Sequence, residues 1–158
     1  MNYRAGDEPM ELTIRTAEPG EEESLLAAWE WLFEPPGRRP GSWEPRRASA
    51  ALRSAIESRD AVVLVAEAPS RLVGFCTAYY GPHTVRFGMR AWVEELAVHP
   101  EHRSQGIGAR LLEAAKAWAR ERGASHLKLD SSTARKDAHR FYERERPSHR
   151  SYTYTWEL

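Results

Sequence analysis

Residues Trp92–Leu112 read WVEELAVHPEHRSQGIGARLL. The first seven are apolar apart from Glu94 and Glu95, which suits a strand, and Pro100 closes it because proline cannot donate to a ladder. A basic loop follows, then Gly106 and Gly108, then apolar residues at helical spacing: Ile107, Leu111, Ala115, Trp118 and Ala119. That spacing predicts a helix over Gly106–Arg122, with Gly123 as its C-terminal cap. A strand that turns through glycines into a helix points unpaired N–H groups and the positive end of the helix dipole at one place. Such a place receives an anion, and the reach of the loop suits a pyrophosphate. The Lys-Ser/Thr ending of a nucleoside-triphosphate loop is missing, and so is the third glycine of a dinucleotide fingerprint.

Outward from this stretch the chain alternates strands and helices. Glu11–Thr16 reads as a strand. Glu21, Glu22 and Glu23 mark a helix first turn, followed by Leu25, Leu26, Trp29, Leu32 and Phe33 on one side. Glu34–Glu44 is a proline- and glycine-rich loop, and Pro45 suits the first position of a second helix, running to Arg59-Asp60. Ala61–Ala66 and Leu72–Tyr80 read as a hairpin about the turn at residues 68–71, and Met89–Val98 as the next strand. His126–Asp130 is a strand, Ala134–Glu145 a helix with Ser132 or Thr133 as cap, and Ser151–Leu158 an alternating final strand. The order predicts an α+β fold in α/β/α layers, a mixed and mostly antiparallel central sheet with helices on both faces. Residues 1–10 read as a flexible leader and 11–158 as one domain.

The 158 residues carry 23 basic and 23 acidic side chains, which argues against a nucleic-acid binder. The balance hides an asymmetry: residues 1–80 hold 9 Lys/Arg and 13 Asp/Glu, residues 81–158 hold 14 and 10. A polyanion is better received by the second half. The single cysteine, Cys76, excludes an internal disulfide and reads as a small core residue, and the absence of a long apolar run excludes a membrane span. His99 and His102 lack a third ligand at metal spacing, so no metal is expected. The expected setting is the cytoplasm.

Two segments resemble a known family. Arg103, Gly106 and Gly108, followed by Ala109, resemble motif A (R-x-x-G-x-G/A) of the GNAT superfamily of acetyl-CoA-dependent N-acetyltransferases. Ala138-His139-Arg140-Phe141-Tyr142-Glu143 resembles that family's A-x-x-F-Y-E segment. The resemblance implies a GNAT-like fold and acetyl-CoA as co-substrate. It implies that the backbone of Leu96, Ala97 and Val98 pairs with the pantetheine arm. Arg103, Ser104, Gln105, Gly106, Ile107, Gly108 and Ala109 would cradle the pyrophosphate by their backbone. Tyr142 would protonate the departing thiolate. Arg135 stands where the family commonly has asparagine and is expected to meet a CoA phosphate.

The chemistry asks for such groups independently. An amine must lose a proton before it attacks, which calls for a carboxylate base, and the developing oxyanion needs a fixed N–H donor. Glu94 and Glu95 are neighbours, so strand alternation sends them to opposite faces. Glu94 matches the base of polyamine-acetylating relatives, and Asp130 is a third candidate. Trp31, Glu34, Trp43 and Tyr80 are expected to line the acceptor site, with Tyr79 and His83 nearby and Glu30 and Glu44 adding negative charge for a cationic acceptor. The expected reaction is direct acetylation of a small-molecule primary amine. The alternatives are acetylation of a protein N-terminus or lysine, and an acyl-CoA sensor without turnover. The pattern departs from the family after Tyr142: Arg144-Glu145-Arg146-Pro147 replaces a glycine-aromatic pair, and few residues follow. A homodimer through the C-terminal edge strand is therefore expected.

Overall fold

The computed structural model describes residues 11–69, 71–81 and 84–158. The expected leader at 1–10, the turn residue Ser70 and His83 lie outside the described residues. Five strands form one sheet in the order β1-β2-β3-β4-β5. They are β1 (Thr13–Thr16), β2 (Ala61–Ala68), β3 (Arg71–Tyr80), β4 (Ala91–Val98) and β5 (Leu127–Leu129). The first four pair antiparallel, and β5 pairs parallel with β4.

Helices cover both faces, as their apolar stripes demand. The first helical region is broken where the sequence suggested one helix: α1 (Glu22–Leu26), a 3-10 turn (Ala27–Trp29) and α2 (Glu30–Phe33). With α3 (Pro45–Glu57) these bury Leu25, Ala28, Trp29, Leu52 and Ala55 against Val63, Val65, Phe75 and Ala97. Pro45 opens α3 as expected, and Glu44 caps it by accepting from the Arg46 and Arg47 N–H groups at 2.9 and 2.8 Å. On the other face α4 (Ile107–Glu121) buries Ile107, Leu111, Leu112, Ala115, Trp118 and Ala119 against Val62, Leu64, Val73 and Cys76. Gly74 makes this close approach possible. A Cβ there would stand 3.0 Å from Leu111 Cδ1 and 3.1 Å from both Ala97 O and Ile107 Cγ2. Gly123, at φ +74, ends α4 as expected, and the Ala124 N–H closes the cap on Ala119 O at 3.0 Å.

α5 (Lys136–Arg144) packs Phe141 on the same core. Two expectations fail around it. Its cap position is Arg135, without a side-chain cap bond, because Ser132 only reaches the Ala134 N–H at 3.4 Å. The final strand at Ser151–Leu158 does not form. Without the family's glycine, Arg146 takes a left-handed φ of +56 before Pro147. The chain then crosses by way of Arg150–Glu143 and Thr153–Asp130 contacts, and no ladder bonds follow. The sheet's outer strand on this side is therefore β5.

Candidate active site

β4 is paired on one side along its whole length but on the other only in part. β3 accompanies it from Tyr80↔Ala91 to Gly74↔Val98, whereas β5 pairs only with Ala91, Trp92 and Val93. Among the described residues no strand lies on the outer side of β4 from Glu94 to Val98, because the pairing with β5 ends at Val93↔Leu129. A bulge marks the point of divergence: Ala78 pairs with Val93 and Thr77 with Glu95, leaving Glu94 as an extra residue. Bulges bend a strand and increase its twist, which is what a splay requires.

The bulge also corrects the expectation that Glu94 and Glu95 face opposite sides. Val93 and Leu96 both pack toward α4, so the alternation slips by one between them. Both carboxylates bear on Tyr79, whose hydroxyl is raised in pKa by burial and then by Glu95 and Glu94. Glu95 is clamped. Thr77 Oγ1 donates to Glu95 Oε2 and accepts from the Glu95 N–H at 3.1 Å, and the Trp29 side chain adds a hydrogen bond. Trp29 is held by stacking on Phe75 at 4.1 Å. Burial raises the Glu95 carboxyl above its ordinary value, Glu94 pushes it further, and the hydrogen bonds oppose both. This is a carboxylate poised to take a proton.

Tyr142 projects from α5 near the sheet. Burial pushes its phenol up to about 12, with Cys76 adding and Arg135 opposing. It therefore holds its proton at neutral pH and is a donor. Cys76 itself is fully buried and pushed up to about 12 by burial, which suits a core thiol and not a nucleophile.

At the start of α4, Ser104 and Gly106 take left-handed φ values of +62 and +79. No backbone N–H from Ser104 through Ala109 has an acceptor among the described residues. These donors, gathered at the N-terminus of a 15-residue helix, fit the phosphates of CoA. The unpaired side of Leu96–Val98 beside them fits an extended amide-bearing arm. The side chains play other parts. Ile107 is core, and a Cβ on Gly108 would press on Phe141 Cζ at 3.3 Å, so Gly108 serves α4–α5 packing. Gln105 Nε2 donates to Glu101 O at 3.3 Å. Arg103 Nε donates to Val98 O at 3.2 Å and its Nη2 to Glu34 Oε2 at 3.4 Å. Arg135 reaches across to Leu32 O at 2.8 Å instead of standing open to a phosphate.

The acceptor-side expectations divide. Glu30, Phe33, Glu34 and Arg39 line an open cleft of about 460 Å³. Trp31 sits edge-on to His99 at 5.1 Å and Trp43 edge-on to Phe33 at 4.8 Å, all on the α1–α3 face. Glu34 is joined to Arg103 and Glu30 to Arg39, and Glu44 is engaged as the α3 cap. Tyr80 is not brought to this group: it packs on the α4 face and its hydroxyl donates to Arg122 O at 2.6 Å. Asp130 accepts from Thr153 at 2.6 Å. Thr77 and the Trp29 indole were not legible as site residues. The signal for the bulge was present, however, in the phase slip between Val93 and Leu96.

The comparisons agree with this architecture. A sequence 33% identical over 96 residues is the uncharacterized N-acetyltransferase YhfO of Bacillus subtilis (strain 168), matched over 61% of this chain and 64% of its own length. Another, 44% identical over 63 residues, is the aminoalkylphosphonate N-acetyltransferase of Salmonella typhimurium, matched over 39% of this chain and 41% of its own length. The chain thus spans less than two thirds of the curated relatives it matches. Among solved structures, aminoglycoside N-acetyltransferase AAC(6')-Iy in complex with CoA shares the fold. Its TM-score is 0.82 at 15% identity, covering 97% of this chain and 98% of that one. Residues 24–146 match the profile of the acetyltransferase (GNAT) family, and with the splayed sheet and the open loop before α4 they show that the chain belongs to that family.

Proposed function

We propose that the protein moves an acetyl group from acetyl-CoA to a primary amine of a small molecule by direct attack. The reading rests on the side of Leu96–Val98 that β5 leaves unpaired, with Glu95, whose carboxyl is raised by burial, on the same strand and Tyr142, whose phenol keeps its proton, on α5. Acetyl-CoA supplies the activated thioester. The N–H groups from Ser104 to Ala109 hold its phosphates, and the side of Leu96, Ala97 and Val98 that β5 leaves unpaired, where Arg103 meets Val98 O, holds its arm. A backbone N–H there polarises the acetyl carbonyl, an interaction worth about 3 kcal/mol in comparable oxyanion sites. Glu95, assisted by Glu94, takes the proton of the acceptor ammonium. The amine nitrogen then bonds to the acetyl carbon, the carbon–sulfur bond breaks, and Tyr142 gives its proton to the sulfur.

A small acceptor is supported by the open cleft lined by Glu30, Phe33, Glu34 and Arg39, where Arg39 and Arg103 pair with the two carboxylates and Trp31 and Trp43 pack on the same face. An aminoalkylphosphonate and an aminoglycoside, named for two of the similar proteins, are both small molecules that carry an amine. Calorimetric titration with acetyl-CoA is the first test, followed by a thiol-release assay over an amine panel. One-site binding at roughly micromolar affinity with turnover of a small amine is expected. Absence of binding refutes the reading. Binding with turnover only of protein N-termini or lysines, or with none at all, replaces it by one of the two alternatives.

A further inference from the structure

One side chain joins the acceptor cleft to the cofactor edge. Arg103 Nε donates to Val98 O at 3.2 Å, and its Nη2 donates to Glu34 Oε2 at 3.4 Å. The His99 N–H points the other way, to Val73 O on β3 at 2.9 Å. The carbonyl and N–H of a trans peptide face opposite sides, so Val98 O lies on the side of β4 that β5 leaves unpaired. The Arg103 guanidinium therefore covers the end of the edge proposed to hold the pantetheine arm. It also reaches the cleft of Glu30, Phe33, Glu34 and Arg39.

While that contact holds, the cleft is balanced in charge: the carboxylates of Glu30 and Glu34 face Arg39 and Arg103. The two pairs differ in firmness. Arg39 meets both oxygens of Glu30 at 2.5 Å and lies over the Phe33 ring at 5.4 Å. Arg103 meets one oxygen of Glu34, and both side chains are half exposed, so this pair contributes little. The backbone under Glu34 is fixed by other groups. The Gly37 N–H donates to Glu34 O at 2.7 Å, and Arg135 Nη2 donates to Leu32 O at 2.8 Å. A Cβ on Gly37 would stand 2.6 Å from Arg135 Nη2, so the segment lies close against the start of α5. Glu34 thus keeps its place when Arg103 departs.

We propose that Arg103 changes partners when acetyl-CoA binds: its guanidinium leaves Val98 O and Glu34 for the CoA phosphates, and the released Glu34 carboxylate becomes the ligand of an ammonium group on the acceptor. The inference rests on the acetyl-CoA site proposed above. A pyrophosphate carries more charge than one carboxylate and accepts from a guanidinium through two oxygens. The arm in turn needs the Val98 carbonyl that Arg103 Nε occupies. With Arg103 gone, the two carboxylates of the cleft face Arg39 alone, and the balance turns negative by one charge. Glu95 takes the proton of the amine that reacts. The positive charge held at Glu34 is therefore a second one, and the acceptor class is a diamine or a larger polycation.

The test titrates CoA and the triamine spermidine calorimetrically into the natural chain, Glu34→Ala and Arg103→Ala. Both side chains are half exposed, so the variants fold, and circular dichroism verifies this. In Glu34→Ala, Arg103 has no carboxylate to give up, and CoA is expected to bind about two- to fivefold tighter. Arg103→Ala is expected to bind CoA at least about tenfold more weakly. The Arg103 Nε–H resonance, assigned by its loss in Arg103→Ala, is expected to differ between the natural chain and Glu34→Ala without CoA and to coincide with CoA bound. Spermidine is expected to bind the CoA-saturated natural chain at least about fivefold tighter than the free chain, and Glu34→Ala to lose that gain. Glu34→Ala that binds CoA no tighter overturns the exchange, and so does an Arg103 resonance that CoA leaves in place. Spermidine that fails to bind, or binds regardless of CoA, overturns the role of the released carboxylate. A natural chain that binds no CoA refutes the acetyl-CoA site itself, and the exchange falls with it.

Discussion

Replacing Thr77 by valine removes one hydroxyl and little volume. In the native chain that hydroxyl donates to Glu95 Oε2 and accepts from the Glu95 N–H at 3.1 Å. A hydrogen bond to a charged group contributes about 1.5–3 kcal/mol, and about 1.36 kcal/mol corresponds to one pKa unit. The donor favours the ionised carboxylate, so its loss raises the Glu95 pKa further. Glu95 can take a proton only when ionised. The acidic limb of kcat/KM therefore moves to higher pH, and activity below the limb falls by about 10- to 100-fold. Glu94→Gln acts with the opposite sign. It removes the like charge that raises Glu95, so the limb moves to lower pH. Thr77→Ser keeps the hydroxyl and the natural limb, and Glu95→Gln abolishes the limb. The assay is initial-rate thiol release from about pH 5 to about pH 9, a window that brackets a raised carboxylate and excludes amine titration near 10. Acetyl-CoA affinity, followed by calorimetry, is expected to stay constant through the series. An unmoved limb in a folded Thr77→Val chain, or an intact limb in Glu95→Gln, refutes the assignment.

Tyr142→Phe is expected to lower kcat by about 10²- to 10⁴-fold, the usual loss for a general acid, with calorimetric acetyl-CoA affinity retained; unchanged kcat removes Tyr142 from the reaction. Glu95 also affects stability. Its folded pKa lies above its unfolded value, so only between those two values does the native chain hold a proton that the unfolded chain has lost. The stability this gives is present at low pH and is lost as pH rises through the folded pKa. Glu95→Gln should raise Tm at about pH 7 and have little effect at about pH 4, and a lower Tm at neutral pH contradicts the burial argument. Arg146, at φ +56, holds a conformation that costs a side-chain-bearing residue about 1–2 kcal/mol. Arg146→Gly should raise Tm by about 2–4 °C, and calorimetric unfolding decides.

The stretch Trp92–Leu112 was legible because its apolar spacing, its proline and its glycines each dictate backbone geometry locally. The antiparallel hairpin, α3 behind Pro45 and the Gly123 cap were legible for the same reason. What escaped depends on contacts between distant residues. Gly74 makes room for Leu111 and Ile107, 37 and 33 residues further along the chain, and no local pattern tells of it. Gly108 seemed to serve a ligand, but Phe141 fills the space beside it. Glu34 was assigned to a ligand by charge and Arg135 by the family resemblance. Their partners, Arg103 and Leu32 O, lie 69 and 103 residues away along the chain. The last strand was inferred from alternation alone. Alternation gives a strand its face, and a strand also needs an edge within reach.

Glu94 is the residue on which fold and site meet. Without it, β4 would read Ala91-Trp92-Val93-Glu95-Leu96-Ala97-Val98. That sequence alternates regularly, with Val93, Leu96 and Val98 toward α4 and Glu95 and Ala97 toward the α1–α3 face. Every cross-strand pair with β3 would be kept, so core packing gives no reason for the extra residue. Its effect lies on the other side of β4, where pairing with β5 stops at Val93. Deleting Glu94 should therefore leave a folded chain with a straighter β4, able to pair with the segment after Leu129. The opening for the pantetheine arm would close. Acetyl-CoA affinity is expected to fall by at least about tenfold, the equivalent of about 1.4 kcal/mol, whereas Glu94→Ala keeps the bulge and the affinity. Amide exchange at Leu96 and Val98, slowed in the deletion variant, would report the closure directly. A deletion variant that folds and binds acetyl-CoA as the natural chain does would show that the turn after β5, and not the bulge, holds the strands apart.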